Sequence, residues 1–373
     1  MGYRRPVWVE INLKAIGENI RVLKTLIGSK TMFMAVVKAD GYGHGAVKVA
    51  QVALESGAHR LGVALVEEGL ELREAGIKAP IHILSEILPS ASGIAVKYDL
   101  IPTICSKEVA EELSSKAREA DKKVKVHVKV DTGMNRLGLF PHQVPQFIEF
   151  LKTLPHLEVE GIFTHFAVAD QVQNEYTKLQ LERFMNLLSD LSKRGFNIPI
   201  KHAANSAATI LFPETHLDMV RVGIAMYGLH PSPATRGRID LAPALQFKAI
   251  VSLVKPLSAG EGVSYGLTYR ARKKTTLAVL PLGYGDGYTR LLSNKSHVLM
   301  KGRRAPVVGN ICMDQLMVDV GHIPEVRPGI EATLIGEQGG DRISANELAN
   351  ILGTINYEIV CMIGKRVPRV YIA

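Results

Sequence analysis

The sequence of 373 residues has few of the side chains that build disulfide or zinc frameworks, since it contains only three cysteines. Cys105, Cys312 and Cys361 are far apart, and none of them belongs to a C-x-x-C pair. An odd and dispersed set of cysteines argues against a disulfide framework and against a zinc site. It fits the reducing conditions of the cytoplasm. We therefore expect a cytoplasmic protein without a bound metal.

The sequence also lacks a hydrophobic run of the roughly 18 residues that a membrane span requires, and its N-terminus has no apolar targeting segment. Acidic residues are outnumbered, because 45 lysines and arginines against 36 aspartates and glutamates give a net charge of +9. The basic residues are scattered, and their densest clusters, at 270–274 and 301–304, are short. This pattern predicts that the protein binds neither a membrane nor nucleic acid.

The chain has ample apolar sequence for a packed core, with 47% hydrophobic and 22% charged residues. Eight short apolar segments between residues 12 and 236 alternate with stretches of helical periodicity. These strand candidates are 33–38, 61–65, 80–84, 100–104, 124–130, 159–165, 199–204 and 218–223. Alternating strands and helices in this number predict an α/β fold, a (β/α)8 barrel of the TIM type, over residues 12–236.

Residues 237–373 have a different pattern, in which β-branched runs are separated by glycine, proline and charged turns. This pattern predicts a mainly β C-terminal domain. One helix interrupts it, where Ser344 and Glu347 have the spacing of a capping box. The opening strand, within residues 1–11, is a candidate additional strand of this domain.

The segment AVVKADGYGHG, residues 35–45, contains the most informative lysine. Lys38 is the last residue of the first predicted barrel strand, at the barrel rim where active sites form. A desolvated amine reacts with aldehydes to form a Schiff base, which is one interpretation of a lysine at this position. The alternative is a lysine whose side chain extends to solvent. The glycines of this segment do not have the spacing of a dinucleotide fingerprint.

Other polar side chains also fall at or just beyond the ends of predicted strands. Two of them have a structural interpretation that the residues alone leave open, because Ser206 can begin a helix and Arg221 can form a salt bridge at the rim. Tyr265, in the C-terminal domain, can likewise be a residue that packs in a strand. The full set at the strand ends is Lys38, Arg136, His165, Ser206 and Arg221. Random scatter would seldom produce this distribution.

The segment around Lys38 resembles the cofactor-lysine motif of the alanine racemases, and further segments resemble that family in the same order along almost the whole chain. These segments are VKVDTGMNRLG (128–138), FTHFAVAD (163–170), HAANSAA (202–208), VRVGIAMYG (220–228), GVSYG (262–266), GYGDGY (283–288), GNICMDQLMVD (309–319) and RVPRVY (366–371). The resemblance implies an isomerase that interconverts L-alanine and D-alanine and supplies D-alanine for peptidoglycan.

The resemblance also implies a cofactor, pyridoxal 5'-phosphate, held on Lys38. In the family pattern, Arg221 faces the pyridine nitrogen and disfavours its protonation, which limits how far negative charge spreads into the ring. Ser206, Gly223, Ile224 and Tyr357 correspond to the residues that hold the phosphate. The remaining residues that the resemblance assigns to the cofactor are Tyr42, Arg136, His165 and Asn205.

Racemisation requires acid/base groups on both faces of the alanine Cα atom. The resemblance assigns Lys38 to one face and Tyr265 to the other, with His165 and Arg221 activating the phenol. It implies that Arg136 binds the substrate carboxylate. It also indicates that Lys129 is carbamylated to orient Arg136, although Lys129 could instead pair with a neighbouring carboxylate.

In the family pattern, Tyr265 reaches the active site of the other subunit, so the resemblance implies a homodimer with shared active sites. Met313 and Tyr284 correspond to residues that bound the substrate pocket. Because a pocket rejects an added methylene by only about 1–3 kcal/mol, some turnover of serine is expected.

Three other functions are alternatives to alanine racemisation. A decarboxylase of basic amino acids is expected to place a carboxylate where Arg221 stands, and a pyridoxal-phosphate carrier lacks the second domain. An amino-acid racemase of broader specificity differs only in pocket volume. The sequence leaves open the breadth of specificity, a biosynthetic or catabolic role, the carbamylation of Lys129, and the strength of the dimer.

Overall fold

The computed structural model describes residues 5–372. Their contacts divide the chain into two compact units, one of Ala15–Pro243 and one of Met1–Lys14 with Ala244–Ala373. We call them the barrel unit and the β unit.

The barrel unit contains eight parallel strands, each hydrogen-bonded to its neighbour in one sheet. They are β2 (Met32–Val36), β3 (Arg60–Val63), β4 (Ile81–Glu86), β5 (Leu100–Ile104), β6 (Val124–Lys129), β7 (Leu157–Phe163), β8 (Ile200–His202) and β9 (Met219–Val222). The sheet runs from β8 through β2 to β9, because β2 pairs with β9 as well as with β3. Backbone hydrogen bonds from Asp218 N to Lys201 O (3.1 Å) and from Arg221 N to Ala204 O (3.0 Å) join the last two strands. The predicted barrel is confirmed.

Helices follow most of these strands. They are α1 (Leu13–Ile27), α2 (Lys38–Tyr42), α3 (Ala46–Glu55), α4 (Val66–Glu74), α5 (Ser92–Lys97), α6 (Lys107–Glu119), α7 (Val144–Lys152), α8 (Tyr176–Lys193) and α9 (Ser206–Leu211). In α1, Ile16, Ile20 and Leu23 are completely buried, as their spacing of three and four residues predicts. The helices therefore cover the barrel with their apolar faces.

The C-terminal part of the chain is mainly β, as predicted, and most strand pairs of the β unit are antiparallel. Its strands are β1 (Val7–Asn12), β10 (Leu245–Ile250), β11 (Leu253–Leu257), β12 (Gly262–Val263), β13 (Tyr269–Arg270), β14 (Thr275–Leu280), β15 (His297–Met300), β16 (Arg303–Pro306), β17 (Leu316–Asp319), β18 (Glu331–Gln338), β19 (Asp341–Ile343) and β20 (Arg369–Ile372). The largest sheet has the order β16-β15-β18-β10-β1-β20, with β19 paired to β18. The opening strand β1 thus lies between β10 and β20, and its alternate residues Val7, Val9 and Ile11 are buried.

The prediction of one helix in this unit was wrong, because the described residues form two, α10 (Ala345–Leu352) and α11 (Asn356–Cys361). Ser344 does cap α10, accepting a hydrogen bond from Glu347 N at 3.0 Å. The Glu347 carboxylate, however, binds Arg304 at 2.5 Å instead of completing a capping box. A strong ionic partner from β16 therefore replaces the backbone contact that the local spacing favours.

Candidate active site

The carboxyl ends of the barrel strands bring the predicted polar residues to one rim. Lys38 stands two residues after β2, Lys129 is the last residue of β6, and His165 stands two residues after β7. Ser206 begins α9 after β8, and Arg221 lies within β9. Parallel strands of a closed barrel end on the same side, so residues distant in sequence meet there.

The backbone after Lys38 has an unusual, left-handed conformation. Ala39, Asp40, Gly41 and Tyr42 have φ values of 51°, 52°, 60° and 53°. Only glycine adopts this region at no steric cost, and the others are strained by roughly 1–2 kcal/mol each. The segment is nevertheless closed by hydrogen bonds from Gly41 N to Val37 O (2.8 Å) and from Gly43 N to Ala39 O (3.0 Å). It fixes Lys38 at the start of a tight, rigid turn.

Two carboxylates hold this left-handed turn in place. Glu68, in the first turn of α4, accepts hydrogen bonds from the backbone N–H groups of Ala39 (2.6 Å), Ala64 (2.7 Å) and Leu65 (3.1 Å). Asp40 accepts one from Ala46 N at 2.9 Å, which ties the turn to the start of α3. The strain of the turn is thus offset by contacts from neighbouring elements.

A group of hydrogen-bond donors suited to an anion lies where the eighth barrel strand ends. Gly223 N and Ala225 N approach the Ser206 hydroxyl at 2.9 Å and 3.5 Å. Ile224 begins a short 3-10 turn, Ile224–Tyr227. Gly223 is required here, because a Cβ atom on it would collide with the Tyr42 hydroxyl. Ser206 is the first residue of its helix, and the cap is Asn205, whose side chain accepts from Ala208 N at 3.0 Å.

The guanidinium of Arg221 is buried, with 4% of the residue exposed. Its hydrogen-bond partners among the described residues are uncharged. They are His202 Nδ1 (3.0 Å), His165 Nδ1 (3.0 Å), Thr164 O (2.9 Å) and Ala203 O (2.9 Å). The predicted alternative, a salt bridge at the rim, is therefore not what the described residues form. Burial lowers the pKa of Arg221 to about 9, so it stays protonated at neutral pH.

His165 stands among positive charges. Burial, followed by the charges of Arg221, Lys129 and Arg136, lowers its pKa well below the ordinary value, and Lys38 adds to the effect. Its ring is therefore neutral near pH 7. Because Nδ1 accepts from Arg221, the ring proton lies on Nε2, which can donate to another group. The excess of cations favours an anionic ligand at this rim.

Lys129 and Arg136 differ in their surroundings. Lys129 is 5% exposed and its Nζ atom lies 4.5 Å from the centre of the Phe163 ring. Burial, with the nearby charges of Arg221 and Arg136, lowers the pKa of Lys129 well below its usual value. Arg136 is exposed, in a loop after β6 whose backbone is held by the Asp131 carboxylate at Gly133 N (2.8 Å). Among the described residues, neither side chain forms an ion pair.

The β unit brings three of its predicted site residues together by hydrogen-bonded loops. Tyr265 opens a short 3-10 turn and is 73% exposed, which excludes the alternative of a packed strand residue. Asn310 donates to its backbone O at 2.7 Å. Tyr284 N donates to Cys312 O (3.1 Å), beside Met313. Tyr357 lies in α11 and is half-buried.

Several residues of this rim were not predicted from the sequence. Glu68 supports the backbone of the Lys38 turn, and His202 contacts Arg221, yet neither has a local pattern that indicates a role. Glutamate is common in the first turn of helices, so Glu68 by itself indicates no role. Its contact with Ala39 depends on how two βα units pack. His202 lies in the segment HAANSAA, and its position at the end of a predicted strand was the signal that could have identified it.

Two family models match the chain. The model described as the alanine racemase N-terminal domain matches residues 11–231, and the one described as the C-terminal domain matches residues 244–371. A curated alanine racemase of Halothermothrix orenii is 48% identical over 367 residues, covering 98% of this chain and 97% of that protein. One of Symbiobacterium thermophilum is 50% identical over 367 residues, with coverage of 98% and 97%.

Solved structures agree with this relationship. A crystal structure of alanine racemase from Bacillus anthracis with bound L-Ala-P has a TM-score of 0.95 and 41% identity, covering 100% of this chain and 96% of that one. A histidine racemase from Leuconostoc mesenteroides subsp. sake has a TM-score of 0.91 and 29% identity, covering 100% and 99%. Within residues 5–372, no helix has the length and apolar character needed to cross a membrane.

Proposed function

Because this chain belongs to the alanine racemase family and interconverts L- and D-alanine, we propose that it acts through pyridoxal 5'-phosphate held on Lys38, with Tyr265 as the second base. The observation that supports this most directly is the meeting of Lys38, Arg221 and His165 with a group of anion donors at one barrel rim. The D-alanine serves peptidoglycan synthesis.

The residues at the rim fit the phosphate group of this cofactor. A phosphate binds well to backbone N–H groups at the start of a helical turn, where the Ser206 hydroxyl, Gly223 N and Ile224 N lie. The absence of a Cβ atom at Gly223 leaves room for Tyr42 at the same place. Asn205 positions Ser206 by capping its helix, since its side chain accepts a hydrogen bond from Ala208 N.

When bound, pyridoxal phosphate supplies an electron-withdrawing ring that acidifies the α-hydrogen of alanine. Arg221, which is protonated at neutral pH, would direct its guanidinium at the ring nitrogen. The N–H on Nε and one N–H on Nη1 have no partner among the described residues, so they are available to it. The guanidinium would donate a hydrogen bond to that nitrogen without protonating it, which would limit the spread of negative charge into the ring and disfavour side reactions such as decarboxylation.

Two bases on opposite faces exchange the α-proton. The amine of Lys38 removes or returns the proton on one face, and the partner subunit's Tyr265 does so on the other. His165 is neutral, with its Nε2–H available to bind a phenolate oxygen. The positive charge of Arg221 behind His165 strengthens that donor. The phenolate is thereby stabilised without a proton being lost from His165.

Arg136 binds the carboxylate of alanine, a task that suits its forked guanidinium and its exposure at the rim. We propose that Lys129 carries a carbamate that orients Arg136. The uncharged amine that burial favours at Lys129 is the form that reacts with carbon dioxide. The negative charge of the carbamate would then lie near Arg221 and Arg136, the two cations that lower the pKa of the free Lys129 amine.

The homodimer is supported by the surface of the β unit. Tyr265, Tyr284 and Met313 are 73%, 43% and 53% exposed, on loops that hydrogen bonds hold together. Exposed, ordered aromatic and apolar side chains indicate a surface that another protein covers. We propose that this surface bounds the substrate pocket of the partner subunit, so that the dimer completes each active site. Pocket volume then selects alanine, with some leakage to serine.

The test is D-alanine formation from L-alanine by the purified protein with pyridoxal phosphate. We expect Lys38→Ala to abolish turnover and to lose the covalently bound cofactor absorbance. Tyr265→Phe should keep that absorbance and lose turnover by roughly 100-fold or more, the usual contribution of a proton-transfer group. Tyr269→Phe, a nearby tyrosine bonded to Asp319, is the matched control and should remain active. Absence of D-alanine from the wild type would contradict the proposal.

A further inference from the structure

One layer of the barrel interior beneath Arg221 contains three histidines where barrels normally have branched apolar residues. His82 on β4, His127 on β6 and His202 on β8 come from alternate strands, as the members of one barrel layer do. They are 1%, 0% and 0% exposed. Burying an imidazole is costly unless its nitrogen atoms are hydrogen-bonded.

Two of these histidines form a continuous chain of hydrogen bonds from Arg221 to Glu160. Arg221 Nη1 lies 3.0 Å from His202 Nδ1, and His202 Nε2 lies 2.8 Å from His127 Nδ1. His127 Nε2 lies 3.1 Å from Glu160 Oε2. Glu160 is bound on its other side by Arg60 (2.5 Å and 3.0 Å) and by Lys125 (2.9 Å).

The chemistry of the groups fixes the direction of every bond in the chain. Arg221 can only donate, so His202 Nδ1 accepts and the proton of the neutral ring lies on Nε2. That proton is donated to His127 Nδ1, which puts the proton of His127 on Nε2 and directs it to the Glu160 carboxylate. Burial lowers the pKa of His127 to about 4 and that of His202 well below its usual value, so both rings are neutral.

The anionic end of the chain is equally well defined. Burial by itself would raise the pKa of Glu160, but hydrogen bonds from His127, Arg60 and Lys125 outweigh burial and lower it. Glu160 is therefore a carboxylate at neutral pH. Because the direct partners of Arg221 among the described residues are uncharged, Glu160 is the anion that hydrogen bonds connect to it.

A metal ion is the competing explanation, since ligand atoms of the three histidines lie within 4.8 Å of one another. Binding through His202 Nε2 would require an unprotonated nitrogen there and a proton on Nδ1 instead. That proton would point at the Arg221 N–H at 3.0 Å, which cannot accept it. The cation of Arg221 also repels a second positive charge. The hydrogen-bonded chain is consistent with these contacts, and a bound metal is not.

We propose that Glu160, His127 and His202 are positioning residues for racemisation, which act as a one-directional chain that links the buried cation of Arg221 to a remote carboxylate. This inference rests on the proposed role of Arg221 at the ring nitrogen. Each bond polarises the next, so the charge of Glu160 makes His202 a better acceptor for Arg221. The guanidinium is thereby fixed in orientation without a carboxylate beside the cofactor, which would reverse the electrostatics of the site.

The protonation pattern can be observed directly in the wild-type holoenzyme labelled with 15N-histidine. We expect His127 and His202 to be neutral, with the proton on Nε2, from about pH 6.5 to 8.5, above their lowered pKa values. Their signals are assigned by their loss in His127→Gln and His202→Gln. If a variant does not fold, contacts between rings assign the signals. The ring centre of His82 lies 3.9 Å from that of His127, and the ring centre of Phe163 lies 4.6 Å from that of His202. A proton on Nδ1 of either ring, or a charged ring, would overturn the proposal.

Glu160→Gln tests whether the remote charge matters, because it keeps an oxygen acceptor for His127 and removes the charge. We expect kcat to fall about fivefold, the difference between a charged and a neutral acceptor, with a smaller change in KM for alanine. The downfield N–H proton of His127 should move upfield. Arg60→Gln is the matched control. It breaks the ion pair between Arg60 and Glu160, as Glu160→Gln does, but it leaves the Glu160 carboxylate in place and bound by Lys125.

Arg60→Gln should therefore keep the His127 signal and most of kcat. Equal loss of kcat in Glu160→Gln and Arg60→Gln would overturn the proposal, because the ion pair alone would then explain the effect. Failure of the proposed function can be distinguished from failure of this inference. In that case the wild type makes no D-alanine, although His127 and His202 are neutral with their protons on Nε2. That result would overturn the role of these hydrogen-bonded residues in racemisation.

Discussion

At the scale of single residues, burial decides the chemistry of the lysines. Lys125 and Lys129 lie on the same strand, yet Lys125 is half-exposed and paired with Glu160, whereas Lys129 is buried beside Phe163. The pKa of Lys129 is lowered well below its usual value by burial and by Arg221 and Arg136. The sequence alternation marks both positions only as polar. Their different reactivity depends on which neighbours the barrel gives them.

We predict that Lys129 forms a carbamate, and Lys129→Ala tests this. The wild type in 13C-labelled bicarbonate should give a carbamate carbon signal in NMR, because the uncharged amine attacks carbon dioxide. Lys129→Ala should lose the signal and Lys125→Ala should retain it, as Lys125 is ion-paired and exposed. A signal that persists in Lys129→Ala would assign the modification to another lysine.

At the scale of elements, the left-handed turn after Lys38 is the part of the site that local sequence predicts least. Gly41 and Gly43 favour a turn, but Ala39 and Tyr42 do not favour positive φ. The conformation persists because two hydrogen bonds hold it. Glu68 of α4 accepts one from Ala39 N, and Asp40 accepts one from Ala46 N at the start of α3. Packing between neighbouring βα units therefore overrides the local preference of the backbone.

Glu68→Ala should destabilise this turn. It removes an acceptor shared by three backbone N–H groups, and we expect the free energy of unfolding to fall by about 2 kcal/mol. Denaturant unfolding measures the loss, and faster release of pyridoxal phosphate reports the loosened turn. Glu67→Ala is the control, because Glu67 is an exposed neighbour in the same first turn of α4. Equal effects of both variants would show that charge at the helix start, not the turn, is responsible.

At the scale of the whole molecule, the buried histidines couple stability to pH. Burial lowers the pKa values of His82, His127 and His202 from the ordinary 6.5, to about 4 for His127. Between those values the unfolded chain binds more protons than the folded one, so stability falls as pH falls. Glu160 has a lowered pKa, so its contribution is present above its ordinary value of 4.5 and is lost below it.

We therefore predict that the free energy of unfolding is nearly constant from pH 7 to 8 and falls below about pH 6.5. Each buried histidine contributes up to about 1.4 kcal/mol per pH unit. Denaturant unfolding at several pH values measures the slope. His82→Leu should reduce it, and because neither His82 nitrogen is hydrogen-bonded among the described residues, the variant should not weaken the protein at pH 8. Stability that does not change from pH 7 to 5 would refute this prediction.

The fold class and the location of the site could be predicted from the sequence. Eight apolar segments with intervening helical periodicity indicate the barrel, and strand ends place Lys38, His165 and Arg221 at its rim. Both follow from the period of apolar residues, which is a local property of the chain. The family resemblance assigned chemical roles that composition alone left open.

Only the tertiary structure determined how these residues are held and charged. Residues separated by dozens of positions meet in the chain from Arg221 through His202 and His127 to Glu160, and in the contact of Glu68 with Ala39. The direction of these hydrogen bonds and the protonation of the histidine rings depend on distances between strands, which no local sequence pattern encodes. The sequence thus determined the barrel and the residues at its rim, and packing determined their protonation states, because burial and neighbouring charges act through space.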